Sequence, residues 1–222
     1  MRRKHTITAL LMVVMLLAVS MLTGCAQKLP TAEDAKNYTK AVLDLMCTGD
    51  YDHNVKLSDV EEGKELETRD AMIDDALQSI AGDAGLTDDV TAEFKDVLIE
   101  AFAKCKYTIG EAVQTGDGEY DVTASIEPLK LFSGVQEKLM EQSATLFDDV
   151  DDPSALSEQE LNSRIYSLMA KLIKENLQAP TYEEAKEVVV HYGLLDKEAN
   201  LYGISEEDGS KLGEVLFSAS ME

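Results

Sequence analysis

The sequence predicts an α+β fold, with helices packed on one face of a mainly antiparallel sheet of about four strands arranged as two hairpins. Two observations carry this. Apolar residues recur at three- and four-residue spacing in six separate stretches, which is the spacing of an amphipathic helix. That period is interrupted twice by short β-branched or alternating segments joined across a turn, the mark of a hairpin. The resulting order is three helices, hairpin, two helices, hairpin, helix. Antiparallel neighbours with grouped helices point to α+β and away from a parallel, doubly wound sheet.

The elements follow in order along the chain. Thr31-Ala32-Glu33-Asp34 reads as a helix cap, because a hydroxyl at the N-cap and a carboxylate three residues on can satisfy each other's backbone N–H. Ala35, Tyr38, Val42 and Leu45 form the apolar stripe behind it, and Gly49-Asp50 stops it. A second stripe runs through Leu66, Met72, Ile73, Ala76, Leu77 and Ile80 to Gly82, and a third through Val90, Phe94, Val97, Leu98, Ala101 and Phe102. Tyr107, Ile109 and Val113 then alternate with polar residues, Gly116-Asp117-Gly118 turns, and Tyr120, Val122, Ala124 and Ile126 alternate back. Val135, Leu139, Leu146 and Phe147 return to helical spacing, and Ser157 to Glu160 is a capping box for Leu161, Ile165, Leu168, Leu172 and Ile173. Val188 to Leu194 and Asn200 to Ile204 form the second hairpin, and Ser205 to Asp208 caps a last helix carrying Leu212, Val215 and Leu216.

The N-terminus carries an address. Arg2, Arg3 and Lys4 precede a run of 16 mostly apolar residues, Ile7 to Leu22, which is the layout of an export signal and shorter than the roughly 18 to 20 residues that cross a bilayer. Leu22-Thr23-Gly24-Cys25 resembles the lipobox of bacterial lipoproteins, in which a diacylglycerol is joined to the thiol and the chain is cut just before it. The resemblance implies residues 1–24 as signal peptide, residues 25–30 as lipidated Cys25 and short tether, and residues 31–222 as one folded domain at the extracytoplasmic face of the cell membrane.

Removing residues 1–24 leaves 17 of the 20 Lys and Arg against 43 Asp and Glu, a formal charge near −26. That excess repels nucleic acid and anionic headgroups, so the link to the membrane falls to the acyl chains at Cys25. The remaining 198 residues suffice for one sizeable core and are few for a two-lobed solute-binding protein.

A second resemblance rests on Asp34-Ala35-Lys36-Asn37-Tyr38, Ala41-Val42-Leu43-Asp44, Gly49-Asp50-Tyr51-Asp52 and the closing Leu201-Tyr202-Gly203-Ile204-Ser205-Glu206-Glu207-Asp208. In these stretches the chain is similar to a family of lipoproteins from Gram-positive gut bacteria, themselves similar to the cone-shaped fold of nuclear transport factor two. The resemblance implies a curved sheet with helices leaning on it around a pocket, and no activity. Residues 131–178, between the hairpins, are a helical insertion relative to that plan.

Chemistry-bearing residues are sparse. Cys47 and Cys105, each read as lying in the last turn of a helix, form a candidate disulfide in a compartment that permits one. In the chain-entropy view, closing a loop of about 60 residues stabilises the fold by roughly 4 kcal/mol. The alternative is two free thiols acting as small apolar residues. Asp50, Asp52, Asn54 and Glu61 fall at positions one, three, five and twelve of a calcium-loop register. Val55 stands where that loop needs glycine, so the register describes a weak calcium site or a plain acidic turn. His53 reads as a loop residue and His191 as a strand residue beside Tyr192, while GxSxG, HExxH and phosphate-cradling glycine loops do not occur. No catalytic residue and no cofactor is assigned. The expectation is a binding or interaction module with an unidentified extracytoplasmic ligand or protein partner. Its alternatives are a small hydrolase or isomerase on the cone, and a weak calcium-binding surface protein.

Overall fold

In the computed structural model, residues 29–218 are described, except 58–59, 62, 83, 144 and 153–154, together with the backbone alone of 79–80. The order of elements is α1 (Ala32–Thr48), α2 (Glu65–Ala81), α3 (Asp88–Phe102), β1 (Lys106–Gly116), β2 (Glu119–Glu127), α4 (Val135–Ser143), α5 (Glu158–Gln178), β3 (Lys186–Asp196), β4 (Leu201–Ile204) and α6 (Glu206–Leu216). This is the order the sequence predicts. The strands form one antiparallel sheet in the order β1-β2-β3-β4. Residues 1–28, which hold the expected signal segment and Cys25, lie outside the described residues.

Local chemistry places the helix ends. At α1 the Thr31 hydroxyl accepts from the Asp34 N–H while the Asp34 carboxylate accepts from the Thr31 N–H, and Ser157 with Glu160 repeats this reciprocal pair at α5. Ser205 accepts from the Asp208 N–H at α6. Helix α1 ends at Gly49, where φ is +73° and a Cβ would stand 2.7 Å from Leu66 Cδ2, so the turn needs a residue without a side chain.

Helices α1 and α6 lie on one face of the sheet, α5 packs on α3, and α4 packs on α5, so the 131–178 insertion adds a helical layer beyond α3. Ala35, Tyr38, Val42 and Leu45 of α1 and Leu212 and Leu216 of α6 are buried in one core with Tyr120, Val122, Ala124 and Ile126 of β2 and Val190 and Tyr192 of β3. Tyr38 and Tyr192 meet at a ring-centroid distance of 5.3 Å, and the Tyr120 hydroxyl donates to the Pro30 carbonyl at 3.2 Å.

The β1 alternation departs from its sequence reading at one point. Ile109 pairs with Ala124 and Ala112 with Val122, so Gly110 and Glu111 together oppose Thr123. This bulge shifts the side-chain phase by one residue. Ala112 takes the core side, and Val113, which the two-residue pattern groups with Tyr107 and Ile109, is turned to the other face and is 59% exposed. Gly110 permits the close approach, since a Cβ there would lie 3.2 Å from the Thr123 carbonyl oxygen. Leu66, placed in the second apolar stripe, is also exposed.

The two faces of the sheet should respond differently to truncation. Ile126→Ala removes a fully buried side chain and is expected to cost about 2–5 kcal/mol, whereas Val189→Ala on the uncovered face should stay within about 0.5 kcal/mol. Urea unfolding of both variants checks this, and equal losses would contradict a one-sided helical cover.

Candidate functional site

Two clusters of polar side chains stand out from the packed core. The first sits on the sheet face that α1 and α6 leave uncovered. The β2–β3 register sets Asp121 directly opposite His191, and the His191 Nδ1 lies 2.9 Å from Asp121 Oδ1. The imidazole occupies space kept by Gly193, where a Cβ would stand 2.7 Å from Nε2. An aspartate holding Nδ1 fixes the ring and leaves Nε2 to accept a proton, the arrangement that general-base histidines use. Here both side chains are nearly half exposed, and among the described residues no hydroxyl or thiol is hydrogen-bonded to Nε2. Thr123 and Ser125 of β2 and the exposed Val113 and Val189 share this face. The sequence reading of His191 as a strand residue holds, and its partner is revealed only by the strand pairing.

The second cluster lies where the C-terminal half of α1 meets the start of β1. An open groove of about 470 Å³ is lined by Lys40, Asp44, Cys105, Lys106, Tyr107, Thr108 and Glu127. The Asp44 carboxylate is shared between Lys40 Nζ at 2.5 Å and the Tyr107 hydroxyl at 2.6 Å. Partial burial, and then the hydrogen bond to Asp44, push the Tyr107 phenol well above its ordinary pKa. Cys47, at the end of α1, is 2% exposed, Cys105 lines the groove, and both thiols are free. The neighbouring Cys105, and then burial, raise the Cys47 thiol far above its usual value. Cys47 falls in the last turn of α1 as the sequence reading has it. Cys105 lies three residues beyond the end of α3, in the turn closed by its N–H donating to the Phe102 carbonyl at 3.0 Å.

Each of the four candidate calcium ligands has a neighbouring polar side chain, Asp52 and Asn54 pairing with one another. Asp52 Oδ1 accepts from the Asn54 backbone N–H at 3.0 Å and from its amide at 2.7 Å, forming a local turn. Glu61 pairs with Lys64 at 2.6 Å, and Asp50 lies 3.6 Å from His53 Nε2. Among the described residues no three His, Cys, Asp or Glu side chains gather in a geometry that would hold a metal ion.

No protein-family profile and no curated protein sequence matches the chain. Among solved structures the chain is similar to the crystal structure of a protein of Bacillus subtilis subsp. subtilis str. 168 named as a "putative lipoprotein (ycdA)", with a TM-score of 0.58 and 13% identity. The alignment covers 83% of this chain and 56% of that one, so this chain spans little more than half the neighbour's length. At that identity the likeness is one of fold. It lends nothing to the nuclear transport factor two resemblance or to a gut-bacterial origin.

Tyr107 gives the groove a measurable pH signature. A folded-state pKa raised above the unfolded value near 10 means that its contribution is complete below about pH 10 and is lost as the pH rises from there. Tyr107→Phe should cost about 0.5–1.5 kcal/mol at neutral pH through the lost bond to Asp44. The variant should also show a shallower fall in stability above about pH 10. Denaturation curves at neutral and alkaline pH check both parts, and parallel slopes for the two chains would contradict the assignment.

Proposed function

We propose that this chain is an exported lipoprotein, joined to lipid at Cys25 and held at the outer face of the cytoplasmic membrane, whose folded part binds a ligand or protein partner. The observation that carries the anchor is the Leu22-Thr23-Gly24-Cys25 sequence directly behind a basic start and a short apolar run. The likeness of fold to a protein named as a lipoprotein supports it. Binding is favoured over turnover by the setting of the Asp121–His191 pair. It sits on an open face in contact with water, whereas a general base gains most from an enclosed site where the reacting atoms are desolvated. The cone relationship with nuclear transport factor two belongs to this proposal, supported by the way α1 and α6 lean on the sheet. The space between them is occupied by Tyr38, Val42, Val122, Val190 and Leu212, so the proposed binding uses outer surfaces of the domain.

A second reading is favoured by a specific contact. The 2.9 Å approach of His191 to Asp121 is the start of a hydrolase or isomerase site if a substrate covers the sheet face and brings its own reacting group to Nε2.

The anchor is tested by Cys25→Ser. Mass spectrometry of the chain from membranes should show an N-terminal diacylated Cys25 in the natural sequence and an uncut, unlipidated precursor in the variant, and normal processing of the variant would remove the claim. For the folded part, a broad activity screen of the full chain and of His191→Ala should find no turnover that depends on the imidazole. An activity present in the first and absent in a folded second would replace binding by catalysis.

A further inference from the structure

The Asp121–His191 pair has one free end. An ionised carboxylate only accepts hydrogen bonds, so the 2.9 Å contact places the ring proton on Nδ1 and leaves the Nε2 lone pair without a hydrogen-bond partner among the described residues. Nε2 lies over Gly193, where a Cβ would stand 2.7 Å from Nε2 and 3.6 Å from Glu119 Cγ. Two donors from neighbouring strands therefore converge on the space that this glycine leaves open, across a gap that the Glu119 carboxylate closes by rotation of its terminal torsions. Val113 of β1 pairs with Asp121 from the other side, so the Asp121 carboxylate has the imidazole on one flank and an apolar neighbour on the other.

We propose that His191 Nε2 and the Glu119 carboxylate are the protein ligands of a divalent transition-metal ion of the Zn²⁺, Cu²⁺ and Ni²⁺ class, with Asp121 as the positioning residue that holds the imidazole in its binding tautomer. Imidazole suits these ions, whereas Ca²⁺ and Mg²⁺ take oxygen donors. A carboxylate on the second ring nitrogen of a ligating histidine fixes the ring and raises its basicity. Two protein ligands leave the other coordination positions to water. That agrees with the lack of a three-residue cluster among the described residues, and it sets the site below a three-ligand centre in affinity. The excess of Asp and Glu over Lys and Arg, 43 against 20, draws divalent cations to the whole surface, and His191 gives one place on it the means to discriminate among them. The site stands on these contacts alone and not on the export proposed above.

The experiment titrates ZnCl₂ into the full chain in detergent by calorimetry, with exposed thiols capped by iodoacetamide and millimolar Mg²⁺ present to occupy carboxylates at large. One Zn²⁺ equivalent should bind under these conditions. His191→Gln should remove it, and Glu119→Gln and Asp121→Ala should each weaken it about 10–100-fold, while His53→Gln leaves it unchanged. Asp121→Ala should also mix the two imidazole tautomers in the ring-nitrogen spectrum of His191, a change that a merely structural role would not produce. The three side chains are at least partly exposed, so the variants are expected to fold. The natural chain supplies a reading that needs no variant: Cu²⁺ at low stoichiometry should broaden the ring resonances of His191 before those of His5 and His53. Lack of an Mg²⁺-resistant equivalent in the natural chain, or one that survives His191→Gln, would overturn the site, as would broadening that begins at another histidine. Unchanged affinity in Glu119→Gln would overturn its place as second ligand, and unchanged affinity and tautomer in Asp121→Ala would overturn the positioning role.

Discussion

Strands β2 and β3 are hydrogen-bonded neighbours, yet between them the chain leaves the sheet for α4 and α5, so the sheet persists only if that excursion is closed where it starts and ends. The closure is made of backbone. Leu129, just past β2, bridges both Tyr182 before β3 and Phe217 after α6. Its N–H donates to the Leu216 carbonyl at 2.9 Å and its carbonyl accepts from the Ser218 N–H at 2.8 Å. Lys130 donates to Thr181 and Glu183 donates to Pro128, each at 2.9 Å, and Ser218 Oγ donates to the Glu183 carboxylate. Fixing the ends of a long excursion carries an entropic cost that rises only slowly with its length. A three-stranded clasp buried around Leu129, which is 1% exposed, therefore accommodates a large insertion without disturbing the sheet. The arrangement of α6 on β3 and of α5 on α3 both depend on it.

Much of this architecture was legible because it is local. The capping boxes at Thr31–Asp34 and Ser157–Glu160 are complete within four residues, and the first hairpin is announced by Asp117-Gly118, with φ +77° at Gly118. What sequence periodicity misses is phase and partner. The Gly110–Glu111 bulge changes which face Val113 occupies without changing the apolar count, so a pattern of alternating residues reads the same with or without it. The pairing of β2 with β3 crosses the insertion, and Asp121 has no local signal that links it to His191. Tyr107 and Asp44 meet for the same non-local reason, because α1 packs on the start of β1.

The two polar clusters differ in what the fold does to them. At the α1–β1 junction Asp44 is a shared acceptor, and partial burial shifts the titration of Tyr107 upward because charge is poorly hydrated there. On the uncovered sheet face water competes for every contact, so the Asp121–His191 pair orders the surface more than it stabilises it. The strong negative charge of the chain adds a further distinction: nearly every Lys and Arg contact described is with a carboxylate, as with Lys40, Lys95, Lys186 and Arg164.

The start of α1 also sets a direction. Pro30 lies against the β1–β2 turn, where a Cβ on Gly118 would come within 3.0 Å of Pro30 Cδ, and the Tyr120 hydroxyl binds the Pro30 carbonyl. In the proposed anchored form, the few residues between Cys25 and α1 reach at most about 20 Å even if fully extended. The hairpin tip is thus the pole nearest the lipid. Helix α1, 17 residues long, carries the chain about 25 Å from that pole before it reaches Cys47. The groove at the α1–β1 junction therefore stands one helix length from the hairpin tip, at the opposite end of α1 from the proposed anchor.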